Sequence, residues 1–210
     1  MTEAPSPRSI VIFGGTFDPV HLGHLILAEQ ARLQLKAEKV LFVPAAIPPH
    51  KRDLDVSPAK TRVEMLELAI AGNLAFDIST IELERGGVSY TVDTLRDLAQ
   101  ANPGAKLFLV VGGDSLGDLP TWREPEEIVK LATLAVAARP GREAPDEAKI
   151  PAAWRERIVR LDMPQVEIAS REIRRRSAAG ESVKYLVPAA VEAYLAAHRP
   201  YAGDSKDGAR

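Results

Sequence analysis

A β-branched run, Ser9 to Phe13, stops at Gly14-Gly15, and within a few residues the chain changes to helical spacing. From His21 to Leu35 the apolar residues Leu22, Leu25, Ile26 and Leu33 recur on one face of a helix. Strand, glycine loop and helix in direct succession describe a buried strand that hands the chain to a covering helix. The pattern then repeats. Val40 to Val43 reads as a strand, and a proline-rich loop leads to a helix over Pro58 to Ala71, with Ser57 as N-cap and Pro58 at the first helical position. Ala75 to Leu83 reads as extended, Thr91 to Gln100 as helix, and Lys106 to Val111 and Leu134 to Ala138 as strands. Such alternation predicts an α/β fold, a Rossmann-like parallel sheet with helices on both faces joined by right-handed crossovers.

With 210 residues, the chain is expected to form one domain over residues 1–200. Gly141 to Pro151 is charged and non-periodic and is expected as an exposed insertion, and 201–210 as a frayed, flexible tail. Lys plus Arg number 27 against 29 Asp plus Glu, so an anionic ligand must be held by local groups and not by a global field. That balance, with aromatics at 5%, argues against an RNA platform built on the basic stretch Arg171 to Arg176. No nucleic-acid partner is expected. Cysteine is absent, which removes thiolate nucleophiles and Cys-based zinc sites and fits a reducing compartment. Met1 to Arg8 lacks the apolar core of a secretory signal, and no apolar run approaches the roughly 20 residues that span a bilayer. A cytoplasmic protein without membrane contact is expected; homo-oligomerisation is left open.

Ligands of open α/β sheets bind at the carboxyl ends of the strands, where the first strand delivers Gly14-Gly15-Thr16. The helix that begins near Val20 to His21 adds its N–H groups and positive dipole end, an anion site. That field contributes only about 0.3–1 kcal/mol, so side chains must add more. His21 and His24 stand at i and i+3 and share a face of the first turn. Taken as a pair they read more readily as a cap that packs the helix start, and the wider string reverses that preference. A dinucleotide-binding Gly-x-Gly-x-x-Gly turn and a Gly-Lys-Ser/Thr phosphate loop are both missing after this strand.

Gly14-Gly15-Thr16-Phe17-Asp18-Pro19-Val20-His21-Leu22-Gly23-His24 resembles the H-x-G-H signature of nucleotidylyltransferases, in the form found in bacterial nicotinate mononucleotide adenylyltransferases. Pro48-Pro49-His50-Lys51, Tyr90-Thr91-Val92-Asp93-Thr94-Leu95, Gly113-Asp114-Ser115, Trp122-Arg123 and Ser170-Arg171-Glu172-Ile173-Arg174 follow in that family's order, over nearly the whole chain. One departure stands before the late arginine, where the family has Ile-Ser-Ser-Thr and this chain has Ile168-Ala169-Ser170-Arg171.

The resemblance implies transfer of the adenylyl group of ATP to nicotinate mononucleotide in NAD biosynthesis. The mononucleotide phosphate would attack the α-phosphorus directly, without a covalent enzyme intermediate. Such chemistry needs positioning and charge neutralisation more than a protein nucleophile. Catalysis would fall to His21, His24 and Arg174, and ATP binding to Gly14, Gly15, Thr16, Phe17, His21, His24, Gly113, Asp114, Ser170 and Arg174. Ser170, read as a helix N-cap, and Arg174 would take the β- and γ-phosphates, while Arg175 and Arg176 read as a solvated face. Mg²⁺ would arrive with ATP and keep several waters, so no protein metal ligand is named. For the mononucleotide the candidates are Lys51, Tyr90, Thr91, Asp114 and Trp122. Lys51 reads either as a phosphate ligand or as a loose surface lysine. Asp114 reads as a ribose acceptor or a turn cap. Trp122 reads as a platform for the pyridine ring or a core residue. The helix start at Tyr90-Thr91 offers N–H donors to the nicotinate carboxylate. Asp18 reads as a loop-shaping residue bonded to local N–H groups. Phosphopantetheine and nicotinamide mononucleotide are the competing acceptors.

Overall fold

A computed structural model describes residues 8–47, 56–137, 150–164 and 166–202. Its strands are β1 (Ser9–Gly15), β2 (Lys39–Pro44), β3 (Phe76–Ile78), β4 (Lys106–Gly112), β5 (Ala132–Ala137) and β6 (Ile158–Leu161). They form a six-stranded sheet in the order β3-β2-β1-β4-β5-β6, and every pairing is parallel. This is the Rossmann-like sheet expected from the alternation. The order reverses between β1 and β4, so the crevice of the sheet opens where Gly14-Gly15 and Gly112-Gly113 leave it.

Alternate residues of β1 serve two cores. Val11 and Phe13 pack on one face with Ala28 and Ala31 of α1 (Leu22–Gln34), and Met65 and Leu66 of α2 (Ala59–Ile70). Ile173 of α7 (Ser170–Ala179) and Val191 and Leu195 of α8 (Ala189–His198) complete that layer. Ile10 and Ile12 face the other way, onto Val92, Leu95 and Leu98 of α4 (Thr91–Ala101) and Ile128 and Val129 of α6 (Pro125–Leu131). Burying each of the Val, Leu, Ile, Phe and Met side chains among them contributes about 1.5–3 kcal/mol, against about 0–1 kcal/mol for an exposed ion pair, so these layers hold the fold.

Several expectations are corrected. The segment 75–83 is a short strand followed by α3 (Ile81–Arg85), where Glu82 turns inward to accept a hydrogen bond from Thr94 Oγ1 at 2.6 Å. The chain leaves α3 through Gly86 at φ +68, a conformation that favours glycine. β6 carries no expectation from sequence; its four residues are too few to show a period. The N-cap positions of α2 and α7 are held by Pro58 and Ala169, neither with a side-chain capping bond, and not by Ser57 and Ser170; the Ser170 hydroxyl is bonded to the Pro19 carbonyl instead. The expected insertion lies outside the described residues over 141–149, and its end is not exposed throughout, since Ile150 is buried in the second core. Tyr201, expected to open a frayed tail, is 1% exposed in the first core. Residues 203–210 lie outside the described part. Among the described residues, no helix is long and apolar enough to cross a membrane.

Candidate active site

The first loop leaves β1 at Gly14-Gly15. A Cβ at Gly14 would meet nothing within 4 Å, which leaves that backbone approachable, whereas a Cβ at Gly15 would lie 2.8 Å from the Phe17 ring. Phe17 itself takes φ +50 and is 2% exposed, with its ring edge-on to Phe13 and His24. Its ring is committed to packing, so its expected place at ATP falls to its backbone. The Asp18–Pro19 peptide that follows is cis.

His21 is the N-cap of α1 and His24 its third residue, and the two side chains form a capping box. Their rings are stacked, with centroids 3.6 Å apart. The His21 backbone N–H donates to His24 Nδ1 at 3.2 Å. A neutral His24 therefore carries its proton on Nε2, which makes that nitrogen a donor. The capping and phosphate readings of this pair are thus compatible, because the cap uses Nδ1 and leaves the phosphate reading to Nε2. Gly23 accommodates the buried His21 ring, since a Cβ there would lie 3.1 Å from His21 Nδ1.

The late segment folds onto this loop. Arg174 Nη1 donates to the Asp18 carbonyl at 2.7 Å, and Ser170 Oγ donates to the Pro19 carbonyl at 2.9 Å, across 156 and 151 residues. Nearby, the Leu22 N–H donates to the Leu186 carbonyl at 3.0 Å. Arg175 bonds Glu172 and Glu181, and Arg176 bonds Glu172, the solvated network expected for them. The two guanidiniums hold the Glu172 carboxyl down at about 2.

Three residues escaped the sequence reading. Arg62, 2% exposed, donates Nε to the Ser57 carbonyl at 3.0 Å, Nη1 to Thr16 at 2.8 Å and Nη2 to Ala45 at 2.9 Å. One planar fork thus joins the first loop, the end of β2 and the approach to α2. Burial pulls its pKa below the usual arginine value, opposed by the Asp18 carboxylate and Tyr201. Its signal was visible: a charge at helical spacing with the buried Met65 and Leu66. Tyr201 donates its hydroxyl to Asp18 Oδ1 at 2.9 Å, and the Ser57 N–H donates to Asp18 Oδ2 at 3.0 Å. Asp18 does shape the loop, yet its partners are 39 and 183 residues distant, not local. Ser89 accepts the Ala46 N–H on Oγ at 2.9 Å and donates its own N–H to the Ile47 carbonyl at 3.0 Å.

That Ser89 clasp fixes the start of α4, and with it Tyr90-Thr91, beside the carboxyl end of β2. Tyr90 is the N-cap, and Arg123 lies over its ring at 4.8 Å while bonding Asp93 at 3.3 Å. Trp122, at the end of a 3₁₀ turn over Leu119–Thr121, is half-buried against the same core as Tyr90. Its ring is thus neither wholly core nor wholly exposed. Asp114 sits within α5 (Gly113–Leu116) and not at the strand end. Lys51 lies outside the described residues, as do Pro48-Pro49-His50.

A glycine-lined crevice at the switch point of a parallel sheet, with an H-x-G-H helix start clasped by a serine and an arginine, is nucleotidylyltransferase architecture. The cytidylyltransferase-like family model matches residues 12–176. Within that class, 47% of 193 aligned residues are identical to a protein of Thermomicrobium roseum named probable nicotinate-nucleotide adenylyltransferase, covering 90% of each chain. A protein of the same name from Thermus thermophilus is 48% identical over 192 residues, covering 91% of this chain and 98% of its own. The chain belongs to the nicotinate-nucleotide adenylyltransferase family. Its fold is shared by Plasmodium falciparum nicotinic acid mononucleotide adenylyltransferase complexed with APC, at TM-score 0.76 and 17% identity, covering 92% of this chain and 97% of that one. The complex of that protein with NaAD gives a TM-score of 0.75 at 18% identity, with the same coverage.

Proposed function

We propose that this enzyme transfers the adenylyl group of ATP to nicotinate mononucleotide, giving nicotinate adenine dinucleotide and pyrophosphate. A phosphate oxygen of the mononucleotide attacks the α-phosphorus in line, the bond to the β-phosphate oxygen breaks, and pyrophosphate leaves without an enzyme-bound intermediate. The observation that carries this reading is the clasp of Arg174 on the Asp18 carbonyl, which joins the late basic segment to the loop that ends at His21.

In this reading the Gly14 to Thr16 backbone and the start of α1 receive the phosphates, and His24 donates from Nε2. Arg174 neutralises the β- and γ-phosphates that become the leaving group, and Ser170, whose hydroxyl is given to the Pro19 carbonyl, meets them through the N–H groups at the start of α7. Gly113 and Asp114 border a ribose from the start of α5, just after β4. Tyr90, Thr91, Trp122 and Lys51 hold the mononucleotide. The first turn of α4 presents N–H groups to the nicotinate carboxylate, and Trp122 its half-buried ring to the pyridine. Residues up to Tyr201 work as one domain.

Among the described residues, no group of three or more His, Asp or Glu side chains is arranged to hold a metal ion. Both Asp18 carboxylate oxygens already accept protein donors. Mg²⁺ would come with ATP and would supply charge neutralisation, and no residue of this chain is assigned to hold it.

The test is pyrophosphate release from Mg-ATP with nicotinate mononucleotide, nicotinamide mononucleotide or phosphopantetheine as acceptor. Release with the first, and far less with the others, is expected. Equal rates for the two pyridine nucleotides overturn the acid preference, and release with phosphopantetheine alone overturns the acceptor class.

A further inference from the structure

Tyr201 has no part in the chemistry just described, yet its hydroxyl reaches one of the least exposed charges in the molecule. Asp18 is 3% exposed. A carboxylate at that depth persists only when its lone pairs are filled and a countercharge is near. The Tyr201 hydroxyl and the Ser57 N–H fill them. Arg62 supplies the countercharge, itself held by the carbonyls of Ser57 and Thr16. The backbone of Asp18 bears the Arg174 clasp, and the next carbonyl bears Ser170.

We propose that Tyr201 is a positioning residue for the ATP half of the site: by holding the Asp18 carboxylate, its hydroxyl fixes the two carbonyls on which Arg174 and Ser170 are hung. Without that hydroxyl one buried oxygen of Asp18 has lost its donor, and the side chain turns to recover one. The backbone of Asp18 and Pro19 shifts with it, and the guanidinium loses its aim. A displacement of about 1 Å in such a group costs up to about 100-fold in rate. Burial, and then the adjacent Asp18 carboxylate, push the Tyr201 phenol above its ordinary value, so it remains a donor throughout the neutral range. The chain beyond α8 thereby completes a site that begins at Gly14.

The inference rests on Arg174 as a ligand of the ATP phosphates, and its test is a double-mutant cycle of Y201F and R174A in the full chain. Mg-ATP affinity is read by titration calorimetry, kcat and both KM values by pyrophosphate release, and folding by circular dichroism. Y201F should weaken Mg-ATP binding or lower kcat by about 10- to 100-fold, with KM for nicotinate mononucleotide within about twofold of wild type. In the R174A background the same change should cost less than about twofold. Equal fractional losses in both backgrounds, or a lowered Tm with unchanged kinetics and affinity, overturn the proposal. If Y201F does not fold, D18N, of the same side-chain size, takes its place in the cycle, and independence from R174A there overturns it equally. A wild-type protein that releases no pyrophosphate sinks the proposed function, whereas the coupling read as Mg-ATP affinity is decided separately.

Discussion

The imidazoles of His21 and His24 are stacked at 3.6 Å, and the ring of His24 caps the backbone N–H of His21. Under the proposed function, structural and chemical work would fall on different nitrogens of one side chain. His24→Ala removes both. It should lower kcat by about 10²- to 10³-fold and cost about 1 kcal/mol of stability through the lost cap. Steady-state kinetics beside a thermal melt separates the two, and wild-type turnover in a folded variant rules the phosphate role out.

Arg62→Leu leaves the carbonyls of Thr16, Ala45 and Ser57 without their donor and Asp18 without its countercharge. A loss of about 3–5 kcal/mol is expected by urea unfolding. Arg62→Lys restores the charge but cannot fork across three acceptors, so it should fall between Leu and wild type. A loss below about 1 kcal/mol for Leu, less than an unsatisfied buried group costs, would show that water replaces the guanidinium.

Trp122→Ala should raise KM for nicotinate mononucleotide well above any change in KM for ATP. Because the ring is half-buried on the second core, Tm should fall too, and assays belong below the transition. An unchanged KM for the mononucleotide disproves stacking.

Tyr201 also sets an alkaline limit. Its folded pKa lies above the unfolded value near 10, so its contribution is complete below about pH 10. Above that, the unfolded chain loses the phenolic proton while the native chain keeps it, and stability falls as pH rises. Wild-type Tm should therefore drop more steeply than that of Y201F between about pH 9 and 11. Parallel slopes would contradict a buried, protonated Tyr201.

Where the sequence misled, a side chain had found a distant partner. Ser170 reads as an N-cap, yet its hydroxyl serves the Pro19 carbonyl 151 residues away. Tyr201 follows a helix end and precedes a polar tail, the composition of a loose terminus, and only its pairing with Asp18 buries it. Local propensity holds no information about any of these contacts.

The alternation that makes a parallel sheet, the glycine loop at the first strand end and the H-x-G-H helix start were determined by the sequence alone, because periodicity and glycine act within a few residues of one another. Tertiary structure decided how that loop is held. The ties between Arg62 and Thr16, Tyr201 and Asp18, and Arg174 and the Asp18 carbonyl join residues 46, 183 and 156 positions apart. Their partners are a buried carboxylate and backbone carbonyls. A carbonyl is present at every residue, so nothing in the sequence singles out the one that a folded arginine will reach.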